Sequence, residues 1–146
     1  MAVPAHLSLV TLGVADVARS TSFYESLGWQ RAAEGESTIT FLRLGTPGGG
    51  WVVLGLFGAS DLAEDAHRTP AADATAFRGV TLASNQPSRD DVDRVVAAFV
   101  TAGATLAKAP ELVEWGGYSG YVADPDGHLW EIAHNPYSPE WAAPPV

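Results

Sequence analysis

The sequence predicts an α+β fold in which the order strand, helix, strand, strand, strand occurs twice, roughly 75 residues apart. Each half contains one capped helical segment that ends at a glycine. Asp16 caps the segment 16–27, and Ser88 caps the segment 88–102. Short apolar runs rich in β-branched residues surround each segment, with turn residues between them. We therefore predict two βαβββ modules in one chain of 146 residues.

The first module is expected to cover about residues 5–57. Its helical segment places Val17, Phe23 and Tyr24 largely on one side, as a helix packed on a sheet requires. Gly28 then stops the helix. The strand-like runs of this module are residues 7–14, 29–33, 38–44 and 51–57.

The second module is expected to cover about residues 78–136. Ser88 and Asp91 have the spacing of a capping box, and Gly103 ends the helix. Its strand-like runs are residues 80–84, 105–108, 118–123 and 128–134. Residues 58–77, rich in Ala and Asp, are predicted to be a linker and a mobile flap, and residues 137–146 an irregular tail, all within a single domain.

One carboxylate stands in the last strand-like run of the chain. Residues 124–127, Asp-Pro-Asp-Gly, suit a type I turn. The run 129–133 that follows is apolar except for Glu131. Because strand side chains alternate between faces, Glu131 is expected to share a face with Leu129 and Ala133. A lone acid there must meet water, a partner, a ligand or a metal ion.

This segment resembles the end of proteins of the vicinal oxygen chelate superfamily, which includes glyoxalase I, extradiol dioxygenases and bleomycin-binding proteins. Their chains often end in Asp-Pro-Asp-Gly, two residues, an apolar residue and Glu. Phe23-Tyr24 followed by Leu27-Gly28 is similar to the family's first helix, and the resemblance spans roughly residues 7–136. It implies a curved mixed sheet around a cleft, with the helices on the outer face.

The resemblance also implies where metal ligands would lie. The family's final Glu, a metal ligand, corresponds to Glu131, while the other ligand points fall at Leu9, near Gly55, and at or next to Gly79. Leucine and glycine side chains have no lone pair, and one carboxylate does not hold a divalent ion tightly. None of the four histidines stands at an expected point. We therefore expect no metal and no other cofactor, with a divalent ion at Glu131 as the alternative.

Composition limits the partners. The formal charge of −9 and only eight scattered Lys and Arg residues disfavour nucleic acid and anionic membranes as partners. No apolar run is long enough to span a bilayer, and the N-terminus lacks the basic and long apolar regions of a secretory signal. The absence of cysteine excludes disulfides and is compatible with the cytoplasm, where we expect the protein to reside.

The interpretation that best fits these features is a metal-independent protein that sequesters a small hydrophobic or aromatic molecule, as the antibiotic-binding relatives do. The alternatives are a lyase, isomerase or dioxygenase with a non-standard metal site, and a metal-free enzyme with Glu131 as general base. The resemblance also leads us to expect a homodimer. The residues predicted to bind the ligand are Leu9, Thr11, Trp115, Tyr118, Tyr121 and Glu131.

Overall fold

A computed structural model describes residues 1–34 and 38–145 of the chain. Within them lie eight strands and three helices. The elements of the first half are β1 (Leu9–Val14), α1 (Val17–Ser26), β2 (Gln30–Arg31), β3 (Ile39–Gly45), β4 (Trp51–Gly58) and α2 (Ala59–Asp65). Those of the second half are β5 (Thr81–Asn85), α3 (Arg89–Ala102), β6 (Thr105–Leu112), β7 (Tyr118–Ala123) and β8 (Leu129–His134).

The two long helices begin and end where local chemistry requires. The Asp16 side chain accepts a hydrogen bond from the backbone N–H of Arg19, so it satisfies one donor in the first turn of α1. Ser88 does the same for α3 through the N–H of Asp91. Gly103 ends α3 at φ 114°, a left-handed conformation that suits glycine. Both predicted helices are confirmed to within a residue or two at each end.

The strands form two four-stranded mixed sheets of matching topology. Their strand orders are β1-β4-β3-β2 and β5-β8-β7-β6. In each sheet the first pair is parallel and the others are antiparallel. The predicted α+β class and the repeated βαβββ order are therefore confirmed. The curved sheet expected from the resemblance is divided into these two sheets, which do not close.

One face of both sheets packs against α1 and α3 and forms a core shared by the two halves. Phe23 of α1 meets Phe99 of α3 with ring centroids 6.1 Å apart. Tyr24 stacks on Trp29 at 5.1 Å and meets Trp130 of β8 edge-on. The strands contribute alternate residues to this core, among them Leu12, Val14, Leu54, Leu56, Val122 and Ile132. The opposite face of each sheet is the inner face, on which the candidate site lies.

The predicted linker contains one helix that the sequence analysis did not identify. The structure places α2 at Ala59–Asp65, within residues 58–77. The N-cap of this helix is Gly58, which makes no side-chain hydrogen bond, so the sequence lacks the usual signal for a helix start. Ala, Leu and Glu within the segment favour helix, and α2 packs against β1 and β4. Tertiary packing therefore stabilises a short helix that would be marginal alone.

The tail contains one 3-10 turn at Pro139–Trp141, and its last residue lies outside the described part of the chain. The backbone N–H of Ala143 donates to the carbonyl of Asn85, so the tail runs beside the end of β5. No helix in residues 1–34 and 38–145 is both long and apolar enough to cross a membrane.

Candidate ligand-binding site

Glu131 lies on the inner face of the second sheet. Its neighbours along β8, Trp130 and Ile132, are buried in the core on the helix side. Strand alternation therefore turns Glu131 away from the helices, as predicted. The Glu131 side chain is half-buried rather than enclosed. A carboxylate in this position needs compensating hydrogen bonds but keeps access to a molecule on the inner face.

Two residues of β7 surround the Glu131 carboxylate. Ser119 Oγ donates a hydrogen bond to Glu131 Oε1 at 2.8 Å. Tyr121 stands directly opposite Glu131 in the antiparallel pair. Burial, followed by the negative charge of Glu131, raises the pKa of the Tyr121 phenol, while Lys108 opposite it on β6 opposes the shift. Tyr121 is therefore a neutral hydroxyl beside a carboxylate at physiological pH.

The other two predicted aromatic residues do not join this face. Tyr118 is three positions from Tyr121, so it points to the helix side, where its hydroxyl donates to Asp93 Oδ1 of α3 at 2.8 Å. Trp115 lies in the turn between β6 and β7, 49% exposed, with its ring against Gly117. A Cβ at Gly117 would overlap that ring. The structure thus brings Tyr121, but not Tyr118, to Glu131.

A cavity of about 490 Å³ lies between the two modules. Thr11 of β1 lines it, together with Leu129 of β8 and Leu82 of β5. Leu9, also predicted to bind the ligand, lies on the same face as Thr11 but outside the cavity lining and is 42% exposed. Glu131 is not part of the lining either. It follows Leu129 by two positions on the same face of β8, a step of about 7 Å.

Helix α2 covers one side of this cavity, and the sequence did not reveal that role. Leu62 and Ala63 of α2, and Ala66 directly after it, line the cavity. The helix sits directly on Gly13 of β1, where a Cβ would lie 3.2 Å from Ala59 Cα. Gly13 therefore allows the helix to approach the inner face closely. The Ala-rich composition of residues 59–66 was the only local signal for it.

Arg78 and His128 form the polar mouth of the cavity. Arg78 Nη1 donates to Nδ1 of His128 at 2.8 Å, and Nε2 of that ring donates to the carbonyl of Gly13 at 2.8 Å. Arg78 Nη1 also lies 3.3 Å from Nε2, so the guanidinium contacts both nitrogens of the ring. Arg78 Nη2 also donates to the carbonyls of Ala74 and Asp126. Arg78 was not predicted as a site residue, because His128 and Asp126 are distant from it in sequence.

The sequence profile of the Glyoxalase/Bleomycin resistance protein/Dioxygenase superfamily matches residues 6–132. The chain belongs to this superfamily. It is similar to a glyoxalase-related enzyme from Fulvimarina pelagi, at 33% identity and a TM-score of 0.77, covering 91% of this chain and 90% of that chain.

Two further solved structures share the superfamily fold at lower identity. A glyoxalase/bleomycin resistance protein/dioxygenase family enzyme from Burkholderia phytofirmans is 24% identical, with a TM-score of 0.72 over 89% of this chain and 98% of that chain. A lactoylglutathione lyase from Agrobacterium tumefaciens is 19% identical, with a TM-score of 0.65 over 90% of this chain and 95% of that chain. At these identities the likeness shows the fold alone. Comparison with curated proteins gave no match.

The strand register shows which residues occupy the positions at which the resemblance would place metal ligands. Thr11 and Ala83 each lie five positions before the N-cap of the following helix, at Asp16 and Ser88. They pair with Gly55 and Glu131, so Gly55 and Glu131 are equivalent in the two modules. Leu9 pairs with Val53 and Thr81 with Leu129, which makes Thr81 the equivalent of Leu9. The expected position was at or next to Gly79, just before Thr81 in the sequence.

The donors at these points do not fit a divalent metal site of the superfamily type. Of the four side chains, those of Leu9 and Gly55 offer no donor, Thr81 offers a neutral hydroxyl, and only Glu131 carries a carboxylate. Sites for zinc or similar ions use three or more strong protein ligands. Among the described residues, no group of three or more His, Asp and Glu side chains is arranged to hold an ion.

Proposed function

We propose that the protein is a metal-independent small-molecule-binding member of the superfamily, which sequesters a hydrophobic or aromatic ligand. The observation that supports this most directly is the cavity of about 490 Å³ between the modules. Its size lies within the range of about 300–1,000 Å³ typical of ligand pockets. Its walls come from β1, α2, residues 66–80 and the ends of β5 and β8, and the cavity is partly open to solvent.

The chemistry of the lining supports an apolar ligand body. Small and aliphatic side chains form most of the walls, including Val10, Leu62 and Leu129. Removing apolar ligand surface from water against such walls contributes about 25 cal/mol per Å² of buried area. Outside the cavity, Glu131 and the Tyr121 hydroxyl offer an acceptor and a donor to a ligand group that extends along β8. A ligand hydroxyl or amine would compensate the half-buried Glu131 carboxylate.

One observation favours a catalytic alternative. The similar protein from Fulvimarina pelagi is described as a glyoxalase-related enzyme. In a metal-free enzyme, Glu131 would act as general base, with Ser119 orienting the carboxylate through the hydrogen bond to Oε1. A lyase, isomerase or dioxygenase would instead need a metal site of non-standard composition. Binding without turnover and catalysis predict different fates for the ligand.

Equilibrium dialysis against a panel of flat aromatic and aliphatic molecules tests the proposal. We expect saturable binding of one ligand per chain, with the ligand recovered chemically unchanged after prolonged incubation, as mass spectrometry would show. If the protein converts a bound molecule of the panel to product, and the variant Glu131→Gln does not, the catalytic proposal would replace the sequestration proposal. Absence of saturable binding across a broad panel would contradict both.

A further inference from the structure

We propose that the ligand of this cavity is an anionic amphiphile, an apolar molecule carrying a carboxylate or a similar acidic group that pairs with Arg78 at the mouth. This inference rests on the proposed binding function and names the class of its ligand. It follows from the charges around the cavity, from the bonding of Arg78 and from the position of that side chain relative to solvent.

The described lining of the cavity carries one cationic and no carboxylate side chain, although the chain as a whole is acidic. The protein has 17 acidic and 8 basic residues. Nevertheless, no Asp or Glu is among the described residues that line the cavity, and Arg78 is the only Lys or Arg among them. His128, the other titratable side chain there, contacts Arg78 and the carbonyl of Gly13. A ligand cation would therefore meet a positive charge at the mouth, whereas a ligand anion would meet its counter-ion.

Arg78 has no carboxylate partner in the described part of the chain. The four ion pairs among residues 1–34 and 38–145 involve Arg19, Arg31, Arg94 and Lys108. The bonds of Arg78 go to neutral acceptors instead: the ring of His128 and the carbonyls of Ala74 and Asp126. These bonds fix the plane of the guanidinium. The Nε–H has no bond within the described protein, so the group remains able to donate to a carboxylate.

The position of Arg78 suits a charged head and an apolar body. The side chain is exposed at the mouth, while the interior walls are aliphatic. A carboxylate placed at Arg78 would keep part of its hydration, since full burial of an ion is costly. The apolar part of the same molecule would extend inward between Leu62 and Leu129. A neutral ligand would gain binding free energy only from its contact with the apolar walls.

Three probes that share one body test the inference: 4-phenylbutyrate, the neutral 4-phenylbutanamide and the cationic 4-phenylbutylamine. Equilibrium dialysis at low salt should give an affinity about tenfold higher for the carboxylate than for the amide. The variant Arg78→Gln should lower carboxylate affinity to that of the amide and leave amide affinity within about twofold. Arg78→Lys should retain part of the preference, because it keeps the charge.

Arg68→Gln is the matched control. Arg68 lies in the same linker, donates to the neighbouring carbonyl of His67 and does not line the cavity. The same charge is lost, but the preference for the carboxylate should persist. Equal affinities of native protein for carboxylate and amide, or a preference that survives Arg78→Gln, would overturn the anionic ligand class while leaving the binding function intact. If none of the three probes binds native protein, both proposals fail for ligands of this size.

Discussion

The hydroxyl of Tyr24 donates to Asp124 Oδ2 at 2.6 Å and so joins α1 of the first module to the turn before β8 of the second. Both residues are buried. Trp130 Nε1 donates to the same hydroxyl at 3.0 Å, and Asp124 Oδ1 accepts from the backbone N–H groups of Asp126 and His128. Asp124 therefore both stabilises its own turn and connects the two modules.

Removing the hydroxyl in Tyr24→Phe should destabilise the protein by about 3 kcal/mol, because the variant leaves buried oxygen and nitrogen atoms of Asp124 and Trp130 unpaired. Urea denaturation measures this loss in the free energy of unfolding. Tyr118→Phe is the control, since its hydroxyl bonds to Asp93 at the surface, and it should cost less than about 0.5 kcal/mol. Equal losses for the two variants would contradict the role given to Tyr24.

The same contact predicts a loss of stability at alkaline pH. Burial, followed by the charge of Asp124, raises the pKa of Tyr24 far above its ordinary value of 10.0. Above pH 10 the unfolded chain would release this proton while the folded chain retains it, so the free energy of unfolding should fall as pH rises, by at most about 1.4 kcal/mol per pH unit from this group. Below pH 10 its contribution is fully present.

Urea midpoints of native protein and Tyr24→Phe from pH 8 to 11 would check this alkaline effect. The variant should show a smaller fall, which reflects the other tyrosines with raised pKa values, Tyr118 and Tyr121. Parallel curves for the two proteins would show that Tyr24 does not contribute.

Local signals were sufficient for most of the fold. Asp16 and Ser88 mark the helix starts, and alternation in residues 129–133 places Glu131 opposite the core. Alternation alone would also have separated Tyr118 from Tyr121, since they are an odd number of positions apart. The cavity was not predictable in this way. Its cover depends on α2 packing against Gly13, a contact between residues more than 40 positions apart.

Ligand binding in the cavity should depend on the close packing of α2 against Gly13. In Gly13→Val, the new side chain would meet Ala59 Cα and the Leu62 side chain, so α2 must shift outward. We expect about tenfold weaker ligand binding by dialysis and a loss of about 1–3 kcal/mol in urea. Gly45→Val is the matched control, because a Cβ there has nothing within 4 Å. Unchanged affinity in Gly13→Val would show that the ligand does not occupy this cavity.

We also predict a homodimer. Leu7, Trp51 and Trp141 each expose more than half of their surface, which a monomer would leave in contact with water. Symmetric dimers are the commonest soluble assembly. Light scattering coupled to size-exclusion chromatography should give twice the chain mass of 15.3 kDa. The mass of a single chain at micromolar concentration would contradict the prediction.

The dependence of ligand binding on metal tests the proposed function most directly. Protein dialysed against EDTA, and the same protein supplied with zinc, iron or manganese, would be titrated with a ligand that binds the native form. Because Glu131 is the only carboxylate at the superfamily's ligand points, we expect equal affinities and no turnover in every sample. Binding or turnover that requires an added metal, and that is lost in Glu131→Ala, would contradict metal-independent sequestration.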